Sequence, residues 1–326
     1  MHITLAPMEG VVDYLMRELL SEAGGLDLCV TEFVRITNTR LPSSTFYRLC
    51  PELRHGCTTR NQTPVHIQLL GNNPEMMALN AEKAAKMGAL GVDLNFGCPA
   101  RTVNKHKGGA VLLKEPELIH RIVKTIRQQV PESVPVTAKM RLGYDNTDLA
   151  LENAHAIASA GASALAVHAR TKVQAYRPPA HWQWLARIRE SIGIPVIANG
   201  DIWTVEDARQ IQKVSGCHRI MIGRGILRNP LLALQIKTDQ AGLSQDHLWS
   251  QALPLLQGFV KKVMDFSHYP AQEHPYFITD TNRYITGRLK QWLGMMSKNS
   301  EQAMALFQQI KRLNCSQAIS DRLFTS

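Results

Sequence analysis

Residues 92–99, VDLNFGCP, carry the most informative local pattern of the chain, because an apolar run leads directly into a Gly-Cys-Pro turn. A strand that delivers one thiol to a turn is how a barrel enzyme presents a reactive group. The pattern therefore makes Cys98 a candidate catalytic residue. A structural role is the alternative, since cysteine is among the most buried residue types and Gly-Pro punctuation often marks only a turn.

Similar apolar runs occur on both sides of this stretch, from the first residues to about Lys237, and they alternate with helical patterns. This alternation is typical of βα units that build a parallel sheet. Eight strands are predicted, at residues 3–6, 28–32, 65–70, 91–95, 136–140, 164–168, 195–198 and 219–222. The helices predicted between them include residues 74–87, 116–129, 147–160, 182–191 and 204–213.

Eight parallel strands with intervening helices predict an α/β fold of the (β/α)8 TIM-barrel type. The alternative is an open doubly wound sheet, but no G-x-G-x-x-G follows the first strand and the strand count favours closure. After Lys237 the strand pattern stops, and residues 248–266, 282–293 and 301–313 repeat apolar side chains at three-to-four spacing. We therefore expect a barrel domain over residues 1–243 and a small C-terminal helical bundle over residues 244–326.

Composition narrows the class of protein further. The six cysteines form no C-x-x-C pair, which indicates separate reduced thiols and no structural metal site. No leader pattern and no run of roughly 18 apolar residues is present, so we expect a soluble cytoplasmic protein without a membrane partner. The 37 Lys and Arg against 27 Asp and Glu give a net charge of +10, which favours a polyanion such as nucleic acid. No basic tail carries this excess, so an RNA surface should span both parts of the chain.

Polar side chains stand at the predicted carboxyl ends of the strands, which is where a TIM barrel places its active site. They are Glu9, Gln68, Asn95, Lys139, Arg141, His168, Arg170, Asn199, Asp201 and Arg224. A structural salt bridge would explain Lys139 alone, because a buried ammonium needs an anionic partner. His168, considered by itself, is better explained by a structural role. The whole set, however, indicates a cofactor or substrate site.

Two glycine-containing turns, at residues 199–201 and 223–225, follow predicted strands seven and eight, the usual phosphate position in TIM barrels. Glycine lets backbone N–H groups approach a phosphate closely, and Arg224 adds a guanidinium for charge-assisted hydrogen bonds. Together the two turns predict a phosphorylated ligand.

These motifs together resemble those of the dihydrouridine synthases, flavoenzymes that reduce uridines in transfer RNA. The matching segments are Ala6-Pro7-Met8, Gln68-Leu69, residues 93–99, Lys107-Gly108-Gly109-Ala110, Lys139-Met140-Arg141, His168-Ala169-Arg170, Asn199-Gly200-Asp201 and Gly223-Arg224-Gly225. The resemblance continues into the C-terminal helices, where residues 287–293 look most like the bacterial subfamily that reduces uridine 16 of the D-loop.

The resemblance implies bound FMN, reduced by NADPH or NADH, and it implies the residues that hold it. These cofactor-binding residues are Pro7, Met8, Glu9, Gln68, Lys139, His168, Asn199, Gly200, Asp201, Gly223 and Arg224. In the implied reaction a hydride passes from N5 of the flavin to C6 of uracil, and Cys98 donates a proton to C5 as general acid. A free thiol has a pKa of about 8.5 and is mostly protonated at neutral pH, which suits this role.

The resemblance also implies a set of tRNA-binding residues and no obligate protein partner. The set is Arg35, Asn95, Lys105, Arg141, Arg170, Tyr176, Arg283, Arg288 and Lys290. Arg35 occupies the loop position that helps to select the uridine. Asn95, Lys105 and Tyr176 would touch the flipped uridine or its backbone, and the cations of the C-terminal helices would bind phosphates.

Two other functions fit parts of this pattern. An FMN barrel that acts on a free pyrimidine, of the dihydroorotate or dihydropyrimidine oxidoreductase type, would share the flavin residues but has no use for a basic helical appendage. A non-catalytic RNA-binding protein on a barrel scaffold would bind no cofactor at all.

Overall fold

The computed structural model describes residues 1–266 and 278–325, and its centre is a closed parallel barrel. The strands are β1 (His2–Leu5), β2 (Leu28–Val30), β3 (Val34–Arg35), β4 (Val65–Leu70), β5 (Val92–Phe96), β6 (Val136–Gly143), β7 (Ala164–Thr171), β8 (Val196–Asn199) and β9 (Arg219–Ile222). Parallel pairing runs from β1 through β2 and β4 to β9, and β9 pairs with β1. The predicted (β/α)8 barrel is confirmed.

The second predicted strand, residues 28–32, is shorter than expected, and β3 is a two-residue strand that the sequence pattern does not predict. β3 pairs with the end of β4, where Val34 lies opposite Leu69. Between β2 and β3 the Thr31 hydroxyl accepts the backbone N–H of Gln68 at 3.0 Å. This side-chain hydrogen bond takes the place of a backbone rung and divides the strand.

A ring of helices surrounds the barrel. They are α1 (Tyr14–Glu22), α2 (Ser43–Leu49), α3 (Pro74–Lys86), α4 (Arg101–Lys105), α5 (Pro116–Gln129), α6 (Ala150–Ser159), α7 (Gln183–Ser191), α8 (Val205–Ser215), α9 (Arg224–Arg228) and α10 (Leu232–Thr238), with short 3-10 helices at Pro51–His55 and Gly109–Lys114. The five helices predicted between the strands are all present, with ends that differ by at most three residues. α8 begins with a capping box, in which Thr204 and Asp207 each accept the other's backbone N–H.

Four further helices follow the barrel within the described residues: α11 (Gln245–Phe266), α12 (Thr281–Met296), α13 (Glu301–Ile310) and α14 (Ser316–Phe324). The three predicted C-terminal helices are present, and α14 is an addition. α11 packs on α1, where Lys262 Nζ contacts the carboxylates of Glu18 and Glu22 at 2.9 and 2.8 Å. These helices therefore lie against the barrel through charged as well as apolar contacts.

The connection between barrel and C-terminal helices spans residues 239–244, at the predicted boundary. The division into domains 1–243 and 244–326 stays a prediction, and part of the second range lies outside the described residues. None of the helices in the described ranges is long and apolar enough to cross a membrane.

The barrel interior contains its own buried cluster of mostly small apolar side chains. The cluster consists of Ala6, Val30, Ala164, Ala166, Ile197 and Met221. Ala6 and Met221 also line a cavity at the carboxyl ends of the strands. The cluster thus lies next to the cavity and forms part of its apolar wall through these two residues.

Candidate active site

A cavity of about 470 Å³ opens at the carboxyl ends of the barrel strands, where this fold places its active sites. Its volume lies in the range of cofactor pockets, roughly 300–1,000 Å³. Its wall includes Cys98, Asn95, Arg141, Tyr176 and every predicted cofactor-binding residue, namely Pro7, Met8, Glu9, Gln68, Lys139, His168, Asn199, Gly200, Asp201, Gly223 and Arg224. The structure thus gathers these residues around one cavity, while their roles stay predictions.

A chain of buried hydrogen bonds holds the Asn95 side chain behind Cys98. Thr137 Oγ1 donates to Asp93 Oδ1 at 2.6 Å, and Gln68 Nε2 donates to Asp93 Oδ2 at 2.7 Å. Gln68 Oε1 accepts from Asn95 Nδ2 at 2.8 Å. Asn95 Oδ1 in turn accepts the backbone N–H of Cys98 at 2.9 Å. Because satisfied buried networks are rigid, these bonds keep the Cys98 turn in one arrangement.

The Cys98 thiol lies in the cavity wall, partly exposed to the cavity. Burial raises the pKa of this thiol, and the negative charge of Glu9 adds to the rise. The thiol is therefore protonated at neutral pH, which suits a proton donor better than a nucleophile or a metal ligand. In the part of the chain that the structure describes, no group of three His, Cys, Asp or Glu side chains is arranged to hold a metal ion.

The Lys139 ammonium is a cavity cation without a hydrogen-bond acceptor among the described residues. Burial lowers the pKa of Lys139 to about 8, the neighbouring Arg141 contributes to the fall, and Asp93 opposes it. A bound anion would stabilise the charged form and raise this pKa again, since an opposite charge nearby favours ionisation. The cavity is thus prepared for a negatively charged group beside Lys139.

His168 lies on the same side of the cavity and is neutral. Its side chain is 6% exposed. Burial lowers the pKa of His168 well below its ordinary value, and the positive charges of Arg141 and Lys139 lower it further. Arg170 Nη1 approaches His168 Nε2 at 3.4 Å. Because a guanidinium only donates, Nε2 is the acceptor, and Nδ1 carries the proton of the neutral ring.

The turn after β8 is held by its own partners. Gly200 and Asp201 have φ of +125° and +53°, both in the left-handed region. The Asp201 carboxylate accepts from Ala180 N at 3.0 Å and from the Arg170 guanidinium. Trp182 Nε1 donates to the Gly200 carbonyl at 2.8 Å. The contribution of Asp201 is therefore to fix the turn, so that the cavity face of the turn keeps its shape.

Arg224 lies between two aromatic rings at the cavity edge. Its guanidinium carbon is 4.4 Å from the centroid of Tyr176 and 5.0 Å from that of Trp203. The Tyr176 side chain is 50% exposed. Stacking of this kind holds the guanidinium plane by cation–π attraction and leaves its N–H edges available to an anion.

Two arginines that were predicted to bind RNA have structural partners instead. Arg170 is fully buried, and its guanidinium pairs with Asp201. Arg141 is 2% exposed, and it donates to the carbonyls of Gly97 at 3.0 Å and Thr171 at 3.1 Å. Burial contradicts a contact of Arg170 with RNA phosphates and restricts Arg141 to the cavity side, where it braces the β5 and β7 loops.

Arg288, also predicted to bind RNA, joins α12 to the loop between β1 and α1. Its Nη2 donates to Asp13 Oδ2 at 2.7 Å, and Nη1 donates to the Gly10 carbonyl. Tyr284 OH donates to the same Asp13 oxygen at 2.7 Å. Although burial opposes it, the Asp13 carboxylate raises the pKa of Arg288. The guanidinium is thus engaged within the protein, and a phosphate contact at this position stays a prediction.

The remaining predicted RNA-binding cations lie outside the cavity. Arg35, Lys105 and Arg283 are exposed. Lys290 is half-buried and donates to Asn314 Oδ1 at 3.4 Å. The exposed set is distributed over β3, α4 and α12, on the barrel and on the C-terminal helices.

Several contributors to the site escaped the sequence analysis. Asp93 and Thr137 form the far end of the network behind Cys98, and Trp203 stacks on Arg224. One signal for Asp93 exists in the sequence, because alternate residues of a strand share a face and Asp93 and Asn95 are both polar in an apolar strand. Trp203 belongs to a loop, and no periodic pattern places it.

A closed barrel with a polar cavity at the carboxyl ends of its strands and a protonated thiol in the wall defines a (β/α)8-barrel enzyme. The family model described as dihydrouridine synthase matches residues 4–317 of the chain. The chain belongs to the dihydrouridine synthase family.

Curated relatives cover almost the whole chain. The tRNA-dihydrouridine(16) synthases of Aquipseudomonas alcaligenes and Pseudomonas putida are each 49% identical over 313 residues, which is 96% of this chain and 95% and 93% of those proteins. The tRNA-dihydrouridine(16) synthase of Neisseria meningitidis serogroup A is 47% identical over 310 residues, covering 95% of this chain and 90% of that protein.

Solved structures of low identity share the fold. A 2-naphthoyl-CoA reductase matches 73% of this chain and 50% of its own with a TM-score of 0.56 at 12% identity. An old yellow enzyme homologue from Zymomonas mobilis matches 76% of this chain and 92% of its own with a TM-score of 0.52 at 13% identity. At these identities the likeness supports the barrel fold alone.

Proposed function

We propose that this protein reduces a D-loop uridine of transfer RNA, uridine 16, to 5,6-dihydrouridine, with FMN in the cavity and NADPH or NADH as reductant. The observation that supports the reaction most strongly is one cavity that holds a protonated thiol, Cys98, with a buried ammonium, Lys139, and a neutral imidazole, His168. Family membership supports uridine reduction, and the names of the curated relatives support position 16.

The residues of the cavity fit FMN. Lys139 and His168 offer a cation and a neutral donor to the polar edge of a flavin, and within residues 1–266 and 278–325 Lys139 has no hydrogen-bond acceptor. The guanidinium edge of Arg224 and the turn at residues 199–201 offer donors to a phosphate. When bound, the flavin supplies the hydride that adds to C6 of uracil.

The part of Cys98 is to supply the proton that C5 of uracil then needs. Burial keeps this proton on Sγ at neutral pH, and the bond from Cys98 N–H to Asn95 Oδ1 keeps the turn in place. Transfer breaks the S–H bond, forms the C5–H bond and leaves a thiolate, which takes a proton from solvent before the next turnover.

The substrate must leave its stack to enter the cavity, which costs a few kcal/mol that stacking and hydrogen bonds in the pocket offset. Half-exposed Tyr176 offers a ring at the cavity edge. Exposed Arg35 and Lys105 on the barrel and Arg283 on α12 offer contacts to phosphates. Residues 244–326 act in this proposal as a tRNA-recognition domain.

This function sets where the protein acts and what it binds. We expect a cytoplasmic location, where tRNA is available and the cysteines stay reduced. We expect tRNA as the partner, with no membrane and no obligate protein partner.

The experiment combines the purified protein with NADPH and unmodified tRNA, and it measures dihydrouridine by mass spectrometry of nuclease fragments. We expect a yellow protein that modifies position 16, and a Cys98→Ala variant at least about a hundredfold slower. Cys315→Ala is the matched control, because Cys315 is exposed at the start of α14, and its rate should equal that of the unaltered protein. Reduction of free uracil or orotate without activity on tRNA would support the alternative function instead.

A further inference from the structure

Asn104, on α4, contacts the Cys98 turn directly although it does not line the cavity. Its Nδ2 donates to the carbonyls of Cys98 at 2.9 Å and Ala100 at 2.8 Å. Its Oδ1 accepts the backbone N–H of Val111 at 2.8 Å. One side-chain amide therefore ties together the Cys98 turn, α4 and the 3-10 helix Gly109–Lys114.

The backbone of Cys98 is held from two sides. Its N–H donates to Asn95 Oδ1, and its carbonyl accepts from both Asn104 Nδ2 and the backbone N–H of Ala110, the latter at 3.1 Å. Gly109 closes the packing, because it has φ of +66° and a Cβ there would lie 2.9 Å from the Cys98 carbonyl oxygen. The position of the thiol thus depends in part on contacts to the Cys98 main chain.

We propose that Asn104 is a positioning residue, which holds the Cys98 thiol at the cavity wall by fixing the Cys98 carbonyl. The proposal rests on the role of Cys98 as proton donor. Asn104 does not line the cavity, and its side chain reaches the Cys98 turn through the backbone carbonyls of Cys98 and Ala100. Proton transfer requires close approach of donor and acceptor, and a misplacement of about 1 Å can slow such a step about a hundredfold.

Asn80, on α3, provides a matched control within the same chain. Its Nδ2 donates to the carbonyl of Met76, four residues earlier on its own helix, and to the carbonyl of Thr39, at 2.8 and 3.1 Å. Its Oδ1 accepts the backbone N–H of Leu41 at 2.9 Å. The hydrogen-bond pattern equals that of Asn104, but the loop that it holds contains no predicted catalytic group.

The test compares Asn104→Ala with Asn80→Ala in the purified protein by two readouts. The first is the rate at which iodoacetamide alkylates Cys98 across pH, read by mass spectrometry of the peptide that contains it. We expect Asn104→Ala to speed this alkylation at least about threefold at neutral pH, because a released thiol meets water and its pKa falls towards the ordinary value. The second is steady-state reduction of tRNA, where kcat should fall about ten- to a hundredfold with KM for tRNA within about twofold.

The control should lower the thermal midpoint about as much as Asn104→Ala, by a few degrees, and leave both readouts at their original values. An unchanged alkylation profile in Asn104→Ala, an unchanged kcat, or equal changes in Asn80→Ala would overturn the proposal. If Asn104→Ala does not fold, Asn104→Asp, which has no N–H to donate to either carbonyl and nearly the same volume, carries the same expectations. If Cys98→Ala keeps full activity, the proposed acid is wrong, whereas the alkylation rates still decide whether Asn104 holds the thiol.

Discussion

Lys139 lowers the stability of the flavin-free protein and at the same time offers a charge that an anion in the cavity can bind. Burial lowers its pKa to about 8, so the folded protein holds this proton less tightly than the unfolded chain, where a lysine has a pKa of about 10.4. Folding stability therefore rises with pH between about 8 and 10.4, as the unfolded chain loses a proton that the folded protein has already released. At neutral pH the charged side chain weakens the flavin-free fold, and an anion in the cavity relieves this effect.

Replacement of Lys139 by Met separates the two effects. We expect Lys139→Met to raise the free energy of unfolding of the flavin-free protein by about 1–2 kcal/mol at pH 7, because the apolar side chain avoids the desolvation of an ammonium. The same variant should weaken FMN binding about tenfold or more, since a charge-assisted contact is lost. Thermal unfolding and a fluorescence titration with FMN measure the two quantities. The control, Lys124→Met on the exposed face of α5, should change neither, and a destabilised Lys139→Met variant with normal FMN affinity would contradict this interpretation.

His66, near the start of β4, should make the fold sensitive to acid. Its ring is 9% exposed, its Nδ1 has no partner among the described residues, and burial lowers its pKa to about 4. Between about pH 6.5 and 4 the unfolded chain takes up a proton that the folded protein refuses, so stability falls as the pH falls. Between pH 7 and pH 5 the free energy of unfolding should fall by about 2 kcal/mol less in His66→Gln than in the unaltered protein. Urea unfolding at both pH values measures this difference, and an equal loss in the two proteins would exclude His66 as its source.

The elements that sequence patterns predict well are those with one apolar face. α5 was predicted with the bounds that the structure has, because its buried side chains recur at helical spacing. α1 was missed, because its polar Arg17 and Glu18 are buried through ion pairs with Glu52 and Lys262, which spacing along the chain does not reveal. A helix is therefore predictable from the sequence where only its apolar face is buried.

The same limit applies to the candidate site. Position at a strand end places Lys139 and His168 in the cavity, and the structure agrees. It does not indicate which carboxylate pairs with an arginine, so the ion pairs of Arg170 and Arg288 are not predictable from it. Their partners, Asp201 and Asp13, are distant in sequence and are brought close only by the complete fold.

The contact of α12 with the β1–α1 loop should stabilise the protein through Arg288. We expect Arg288→Ala to lower the free energy of unfolding by about 2 kcal/mol, because Asp13 would keep its partly buried charge without this cation. Arg283→Ala, on the exposed side of the same helix, should change stability by less than about 0.5 kcal/mol and should weaken tRNA binding instead. Chemical unfolding and tRNA titration measure both variants. If Arg288→Ala keeps its stability and loses tRNA affinity, Arg288 is a phosphate contact and the stabilising role is wrong.

The whole molecule carries a net charge of +10, and its exposed cations are found on both the barrel and the C-terminal helices. A distributed positive surface binds RNA largely by releasing counterions, so affinity should fall linearly with salt on a double logarithmic plot. We expect Arg35→Ala, Lys105→Ala and Arg283→Ala each to reduce the steepness of this plot by about 1. If none of the three substitutions alters the salt dependence of tRNA affinity, the tRNA lies on another face of the protein.

Reduction of one uridine by Cys98-dependent chemistry is the central claim, and cellular tRNA tests it most directly. The measurement is dihydrouridine at each D-loop position in tRNA from cells that lack this protein, before and after its return as the unaltered chain or as Cys98→Ala. We expect dihydrouridine to disappear from position 16 alone, to return with the unaltered chain and to return only weakly with Cys98→Ala. Unchanged dihydrouridine at position 16 in the deficient cells, or full restoration by Cys98→Ala, would contradict the account.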